Sequence, residues 1–189
     1  MLLGVTIALI GLVLAIAAYA VTVYNALVRA RQMVQEAWSG IDVQLKRRAD
    51  LIPNLVETVK GYATHEKEAL ERVTEMRARA QTVPAGDIQG RAVAEGMLSQ
   101  ALGRLLAVAE AYPDLKASQN FTELQRSLET TEGEIQMARR YYNGAVRQLN
   151  TQVQSFPSNL VATQFGFGLA DYFELENPDD RAVPKVTFS

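Results

Sequence analysis

Residues 2–23 are almost entirely Leu, Val, Ile, Ala and Gly, and no charged side chain falls before Arg29. About 20 apolar residues suffice to cross a bilayer core as a helix. A single segment can span only as a helix, because lipid offers no partner for free backbone groups. Tyr19 and Tyr24 fall where an interfacial aromatic belt is expected. Beyond the span, apolar positions recur at Leu27, Val34, Trp38, Ile41, Leu45 and Ile52, mostly three or four apart, with no proline over residues 24–49. That spacing is helical. It predicts one long helix that leaves the membrane and becomes the first helix of a domain.

Pro53 reads as the next boundary. With Asp50 as N-cap, Pro53 falls in the first turn of a second helix, where a missing N–H costs little. That helix is expected to run to about Gln81, with Leu51, Leu55, Val59, Tyr62, Leu70 and Val73 on its apolar face. Pro84-Ala85-Gly86-Asp87 is a loop signal. A third helix is expected over residues 88–112, carrying Leu98, Ala101, Leu105 and Val108, and ended by Pro113. Asn120, with Glu123 three residues on, resembles a capping box for a fourth helix reaching about Gln154. Leu124, Leu128, Ile135, Ala138, Tyr142, Val146, Leu149 and Val153 give that helix a heptad-like, coiled-coil spacing.

The pattern changes after Phe156-Pro157. A short helix is expected over residues 159–163, followed by an irregular tail with Phe165, Phe167, Tyr172, Phe173 and Phe188. The tail has too many aromatics for a free linker and is expected to pack on the bundle or on a partner. The fold class is therefore all-α: a transmembrane helix (residues 1–28) continuing into a long-helix antiparallel bundle (residues 29–156), then an irregular aromatic C-terminal tail (residues 157–189).

Charge sharpens this picture. Basic and acidic residues nearly balance, 19 against 21, so no electrostatic footprint for nucleic acid is visible. Ala18-Tyr19-Ala20 has the small-x-small form of a signal cleavage site, but no Lys or Arg precedes it and the apolar run exceeds a usual signal core. A retained anchor is the expected reading. Arg29, Arg31, Lys46, Arg47 and Arg48 follow the span, and basic residues near a span tend to stay in the cytoplasm. The N-terminus is thus expected outside and the helical domain inside, at the plasma (inner) membrane.

Candidate chemistry is sparse. The chain has no cysteine and one histidine, His65. His65-Glu66 resembles half of a zinc-protease motif, yet position 69 is Ala69 where the second histidine is needed. No nucleophile-elbow sequence accompanies His65 for a serine triad, and no phosphate-binding glycine loop is present. No catalytic residue, metal ligand, cofactor or small-molecule substrate is expected.

Three features invite a binding role. Trp38, Asp42, Lys46, Arg47, Arg48, Asp50, Pro53 and Asn54 form a block dense in charge and polar groups. Asp42 and Lys46, four apart, are placed to pair on a helix face. The block either fixes the junction of the first two helices or docks a partner, and Trp38 fits the apolar seam. Lys46 lies roughly 30 Å past the span along a straight helix, well beyond the Debye length of about 8 Å, so its attraction to the same membrane is weak. In the span, Gly4, Ala8, Gly11, Ala15, Ala18 and Thr22 line one face, where small residues allow close helix approach. In the third helix, Ala92, Gly96, Ser99, Gly103 and Ala107 form a similar stripe, for close packing within the bundle or between subunits.

Several runs carry a family resemblance. They are Tyr24-Asn25-Ala26-Leu27-Val28-Arg29-Ala30-Arg31, the block from Glu36-Ala37-Trp38-Ser39-Gly40 through Asp50-Leu51-Ile52-Pro53-Asn54-Leu55-Val56, and Lys60-Gly61-Tyr62-Ala63-Thr64-His65-Glu66. Pro113-Asp114-Leu115-Lys116-Ala117, Phe121-Thr122-Glu123-Leu124-Gln125, Ala138-Arg139-Arg140-Tyr141-Tyr142-Asn143, Phe156-Pro157-Ser158-Asn159-Leu160 and Pro184-Lys185-Val186 with Phe188 extend it over essentially the whole chain. Together they closely resemble the LemA family. The resemblance implies a bacterial single-pass membrane protein with a cytoplasmic helical bundle and no agreed enzymatic activity. Relatives of that kind include a magnetosome-membrane protein, and members often sit beside genes for membrane proteases. The expected function is a non-enzymatic membrane-anchored scaffold, contacting lipid and further copies of itself. The alternative is an adaptor or regulator of another membrane protein such as a protease.

Overall fold

The computed structural model describes residues 1–63 and 65–174. Among them lie six helices: α1 Leu2–Tyr62, α2 Lys67–Thr82, α3 Ile88–Ala109, α4 Pro113–Lys116, α5 Gln119–Gln154 and α6 Ser158–Gln164. No strand occurs among the described residues, so the fold is all-α. The motif Pro184-Lys185-Val186 with Phe188, and Thr64, lie outside the described residues.

The apolar span is the first part of α1, whose 61 residues run without a break. The most apolar window of the helix has none of its residues buried. Leu9, Ile10, Leu12, Val13 and Leu14 are all exposed. A soluble core helix of this composition would be covered by its own chain. An uncovered apolar surface this large marks a membrane or protein contact.

The expected boundary at Pro53 is corrected. Pro53 lies inside α1, and Asp50 caps nothing there because the helix continues past it to Tyr62. A proline in a helix interior leaves the carbonyl four residues back without its N–H donor. That carbonyl belongs to Ala49, and the Arg77 guanidinium of α2 donates to it through Nε at 2.7 Å. The side chain replaces the missing bond, so the Ala49 carbonyl keeps a donor. Leu55 and Val59, expected on a second helix, are core residues of α1 instead, and α2 begins at Lys67.

Two smaller boundaries also move. α3 stops at Ala109, and Pro113 opens α4 rather than ending α3. A proline suits that first position because its N–H would be unpaired anyway. Asn120 lies one residue inside α5, and Glu123 accepts from the Gln119 side chain at 3.0 Å rather than closing a capping box. The cap that does form is Asp87, whose carboxylate accepts from Gly90 N at 2.7 Å at the start of α3. A Cβ at position 90 would stand 2.1 Å from Asp87 Oδ2, so glycine lets the carboxylate lie in this position without shifting.

The chain forms two compact units. One comprises Met1–Gly40 and Arg140–Asp171; the other comprises Ile41–Arg139 and the segment from Tyr172. The core of the second unit takes Ile52, Leu55 and Val59 from α1, Val73 and Met76 from α2, Leu98 and Leu105 from α3, Leu115 from α4 and Phe121 and Leu128 from α5.

In the first unit, Leu27, Ala30, Val34 and Ala37 of α1 are buried, as are Tyr142, Ala145, Val146 and Leu149 of α5. Trp38 and Tyr142 meet edge to face with ring centroids 5.5 Å apart. The segment after α6 turns through Gly166, whose φ of 69° suits glycine. It is then tied down by side chains of α5. Asn150 Nδ2 donates to the Ala170 carbonyl at 2.9 Å, and Asn150 Oδ1 accepts from Ala170 N at 2.8 Å. The Tyr142 hydroxyl donates to the Asp171 carbonyl at 2.9 Å.

Burial, and secondarily the charge of Asp171, pushes the Tyr142 hydroxyl up to about 12 from its ordinary 10.0. Above pH 10 the unfolded chain sheds this proton while the folded chain keeps it. Stability present below pH 10 is therefore lost as pH rises toward 12, by roughly 1.4 kcal/mol per pH unit. Tyr142→Phe is expected to flatten that decline at a cost of about 1 kcal/mol at neutral pH. Thermal melts of both forms from pH 9 to 12 check it; parallel slopes would contradict it.

Candidate functional site

Arg48 sits on the same face of α1 as Ile41, Leu45 and Ile52, so helical periodicity turns it into the core of the second unit. It is 1% exposed. A bare guanidinium there would be very costly, and it is instead surrounded by acceptors. Nη2 meets Glu95 Oε2 of α3 at 2.6 Å. Nη1 donates to Ser99 Oγ at 2.7 Å and to Glu132 Oε1 of α5 at 2.5 Å. Glu95, itself 2% exposed, uses its other oxygen to accept from Arg91 Nε at 2.8 Å. Arg91 Nη2 also reaches Asp42 Oδ1 at 3.6 Å.

The network thus joins α1, α3 and α5 through two guanidiniums and three carboxylates. Every carboxylate in it faces a guanidinium. Charge-assisted bonds of this kind, with a guanidinium donating to a carboxylate, are short and geometrically specific. The arrangement fixes three helices in register. The polar atom left without a partner is Arg48 Nε, which is buried.

The charged block is thereby split. Arg48 is core, while Lys46, Arg47 and Asp50 are exposed along α1. Asp42 pairs with Arg91 across to α3, not with Lys46 on its own helix. Trp38 is half-buried against Tyr142. Pro53 is exposed, and the Asn54 carbonyl accepts from the Thr58 hydroxyl at 2.8 Å.

The two small-residue stripes are placed differently from each other. Gly4, Ala8, Gly11, Ala15 and Ala18 are exposed, and a Cβ added at Gly4 or Gly11 would meet nothing within 4 Å. On α3, Ala92 is buried, Gly96 and Ser99 are half-buried, and Ser99 bonds Arg48. Gly103 and Ala107 are exposed, and nothing lies within 4 Å of a Cβ built at Gly103. The second unit therefore packs against one end of that stripe and leaves the other end open.

An open groove of about 670 Å³ lies between α1 and α2, with Val56, Leu70 and Ala78 among its lining. Its rim carries Glu57, Glu71 and Glu75, which pair with Lys60, Lys67 and Arg72 on their own helices at 3.9, 3.6 and 3.1 Å. Exposed pairs of this type contribute little and hold no reactive group in place. His65 is exposed in the turn before α2. Among the described residues no cluster of three or more metal-ligating side chains forms.

Glu95 and Glu132 were not singled out in the sequence. A signal was there for Glu95, which falls on the buried face of α3 with Ala92, Leu98 and Leu102. A charge embedded in an apolar helical stripe points to a buried partner of opposite sign.

Comparison with known proteins gives a consistent picture. Residues 37–188 match the model of the LemA family. The chain is 26% identical over 198 residues to magnetosome protein MamQ 2 of Paramagnetospirillum magneticum, covering 90% of this chain and 73% of that protein. It is 28% identical over 138 residues to protein LemA of Metamycoplasma hominis, covering 73% and 63%. It is 24% identical over 184 residues to magnetosome protein MamQ of Magnetospirillum gryphiswaldense, covering 85% and 68%.

Proposed function

The chain belongs to the LemA family, and from that premise we propose that this membrane-associated helical protein is a non-enzymatic scaffold that self-associates. The observation that carries the reading is the uncovered apolar stretch at the start of α1, within a helix that runs on without interruption to Tyr62. Lipid satisfies that stretch, and the basic residues from Arg29 onward hold the helical domain on the cytoplasmic side. The exposed face of Gly4, Ala8, Gly11, Ala15 and Ala18 supports contact between spans, since small residues permit close approach. The open end of the α3 stripe, Gly103 and Ala107, offers a second surface for the same purpose. Mass measurement of the full chain in detergent micelles checks this. A multiple of 20.8 kDa is expected, reduced by Gly11→Leu. A strict monomer unchanged by that substitution would contradict self-association.

A second reading is an adaptor for another membrane protein, such as a protease. It is favoured by the outward face of α1 where Val43, Lys46, Arg47 and Asp50 are exposed while their neighbours Leu45 and Arg48 are buried. Crosslinking in cells followed by mass spectrometry separates the two, and self-links alone would remove the adaptor.

A further inference from the structure

The first unit has an uncovered apolar end. Phe156, Leu160 and Phe165 are 80%, 61% and 58% exposed. The geometry within this unit fixes where they lie relative to the span. Phe165 meets Tyr24 edge to face at a centroid distance of 4.9 Å, and Tyr24 is the first residue after the apolar stretch. Phe167 meets the same ring at 5.7 Å and lies under the Arg31 guanidinium at 5.0 Å. α5 reaches this level too. Trp38, which Tyr142 touches, stands about 21 Å above Tyr24 on α1, and Gln154 lies about 18 Å beyond Tyr142 on α5. The turn at Phe156 and α6 therefore sit beside the end of the span.

Composition agrees. No charged residue occurs from Gln148 to Ala170, although Asp, Glu, Lys and Arg make up 21% of the chain. Neutral Ser158, Asn159, Thr163 and Gln164 accompany the exposed apolar groups in α6. Aromatic and neutral polar side chains are the residues that headgroup depth accepts, and Arg29, exposed one turn further along α1, suits the phosphates.

We propose that Phe156, Leu160 and Phe165 form a second membrane contact, an interfacial foot that rests in the bilayer surface beside the span. Its ligand is the phospholipid interface itself. Shallow burial of aromatic and aliphatic side chains adds to the hold of the span and limits rotation of the first unit about it. The inference rests on the anchor reading above, and its test keeps the two apart.

The absence of native cysteine makes single labels straightforward. Phe156→Cys, Leu160→Cys, Leu12→Cys and Glu129→Cys, each carrying an environment-sensitive nitrobenzoxadiazole dye, are placed in the full chain. The protein is reconstituted in phosphatidylethanolamine and phosphatidylglycerol vesicles containing nitroxide lipids. Labels at 156 and 160 are expected to be quenched by shallow nitroxides several-fold more than the label at 129, and the label at 12 by deep nitroxides. If 12 is quenched but 156 and 160 behave like 129, the foot is overturned while the anchor stands. Blue-shifted but unquenched emission at 156 and 160 also overturns it, because protein rather than lipid then covers the face. Absence of quenching at 12 overturns the anchor and the foot with it.

Discussion

Replacing Arg48 by methionine is expected to destabilise the folded chain by about 3–5 kcal/mol. The loss comes less from the missing attraction than from what remains. Glu95 is almost fully buried, and its Oε2 would be left there without a partner. Arg91 still holds Oε1, which places the effect nearer the lower end of that range. Glu132, whose side chain is 38% exposed, can turn to water, so Glu132→Gln is expected to cost only about 1 kcal/mol. Removing both members of the buried pair, Arg48→Met with Glu95→Met, is expected to recover most of the loss, because a buried ion pair is often matched by hydrophobic groups of similar volume. Urea titrations of the full chain in mild detergent, followed by far-ultraviolet circular dichroism, supply the comparison. A single Arg48→Met substitution costing under about 1 kcal/mol would mean that the network does not hold α1, α3 and α5 together.

Deleting residues 2–23 is expected to move the chain from the membrane fraction to the soluble one. The stretch carries a dozen Leu, Ile and Val side chains and no charge. At roughly 0.3–0.6 kcal/mol each, they favour insertion by up to roughly 4–7 kcal/mol. The intact chain should resist extraction by high salt, since screening weakens charge attraction to headgroups but leaves apolar insertion untouched. Release by salt alone would mean that the helix lies on the surface.

The helices were largely legible because their apolar positions recur every three or four residues, and the buried faces of α3 and α5 follow that pattern. Pro53 misled for a definite reason. An interior proline is better tolerated where the freed carbonyl finds another donor. Here that donor is Arg77, 28 residues from Ala49. No local rule anticipates it. Asp42 shows the same limit: four residues from Lys46 and placed to pair with it, it pairs instead with Arg91 on another helix. Arg48 meets acids 47 and 84 residues away, separations that only tertiary structure closes. The α3 stripe shows a third limit. One helical face reads as uniform in sequence, yet Ala92 is covered and Gly103 is not.

The anchored topology is tested most directly by cysteine accessibility in intact cells, using single cysteines at Leu2, Leu12 and Arg47 in a chain that has none of its own. A membrane-impermeant maleimide is expected to label position 2 from outside, position 47 only after the membrane is permeabilised, and position 12 in neither case. Labelling of position 47 in intact cells would reverse the orientation, and ready labelling of position 12 without detergent would contradict a membrane-spanning α1.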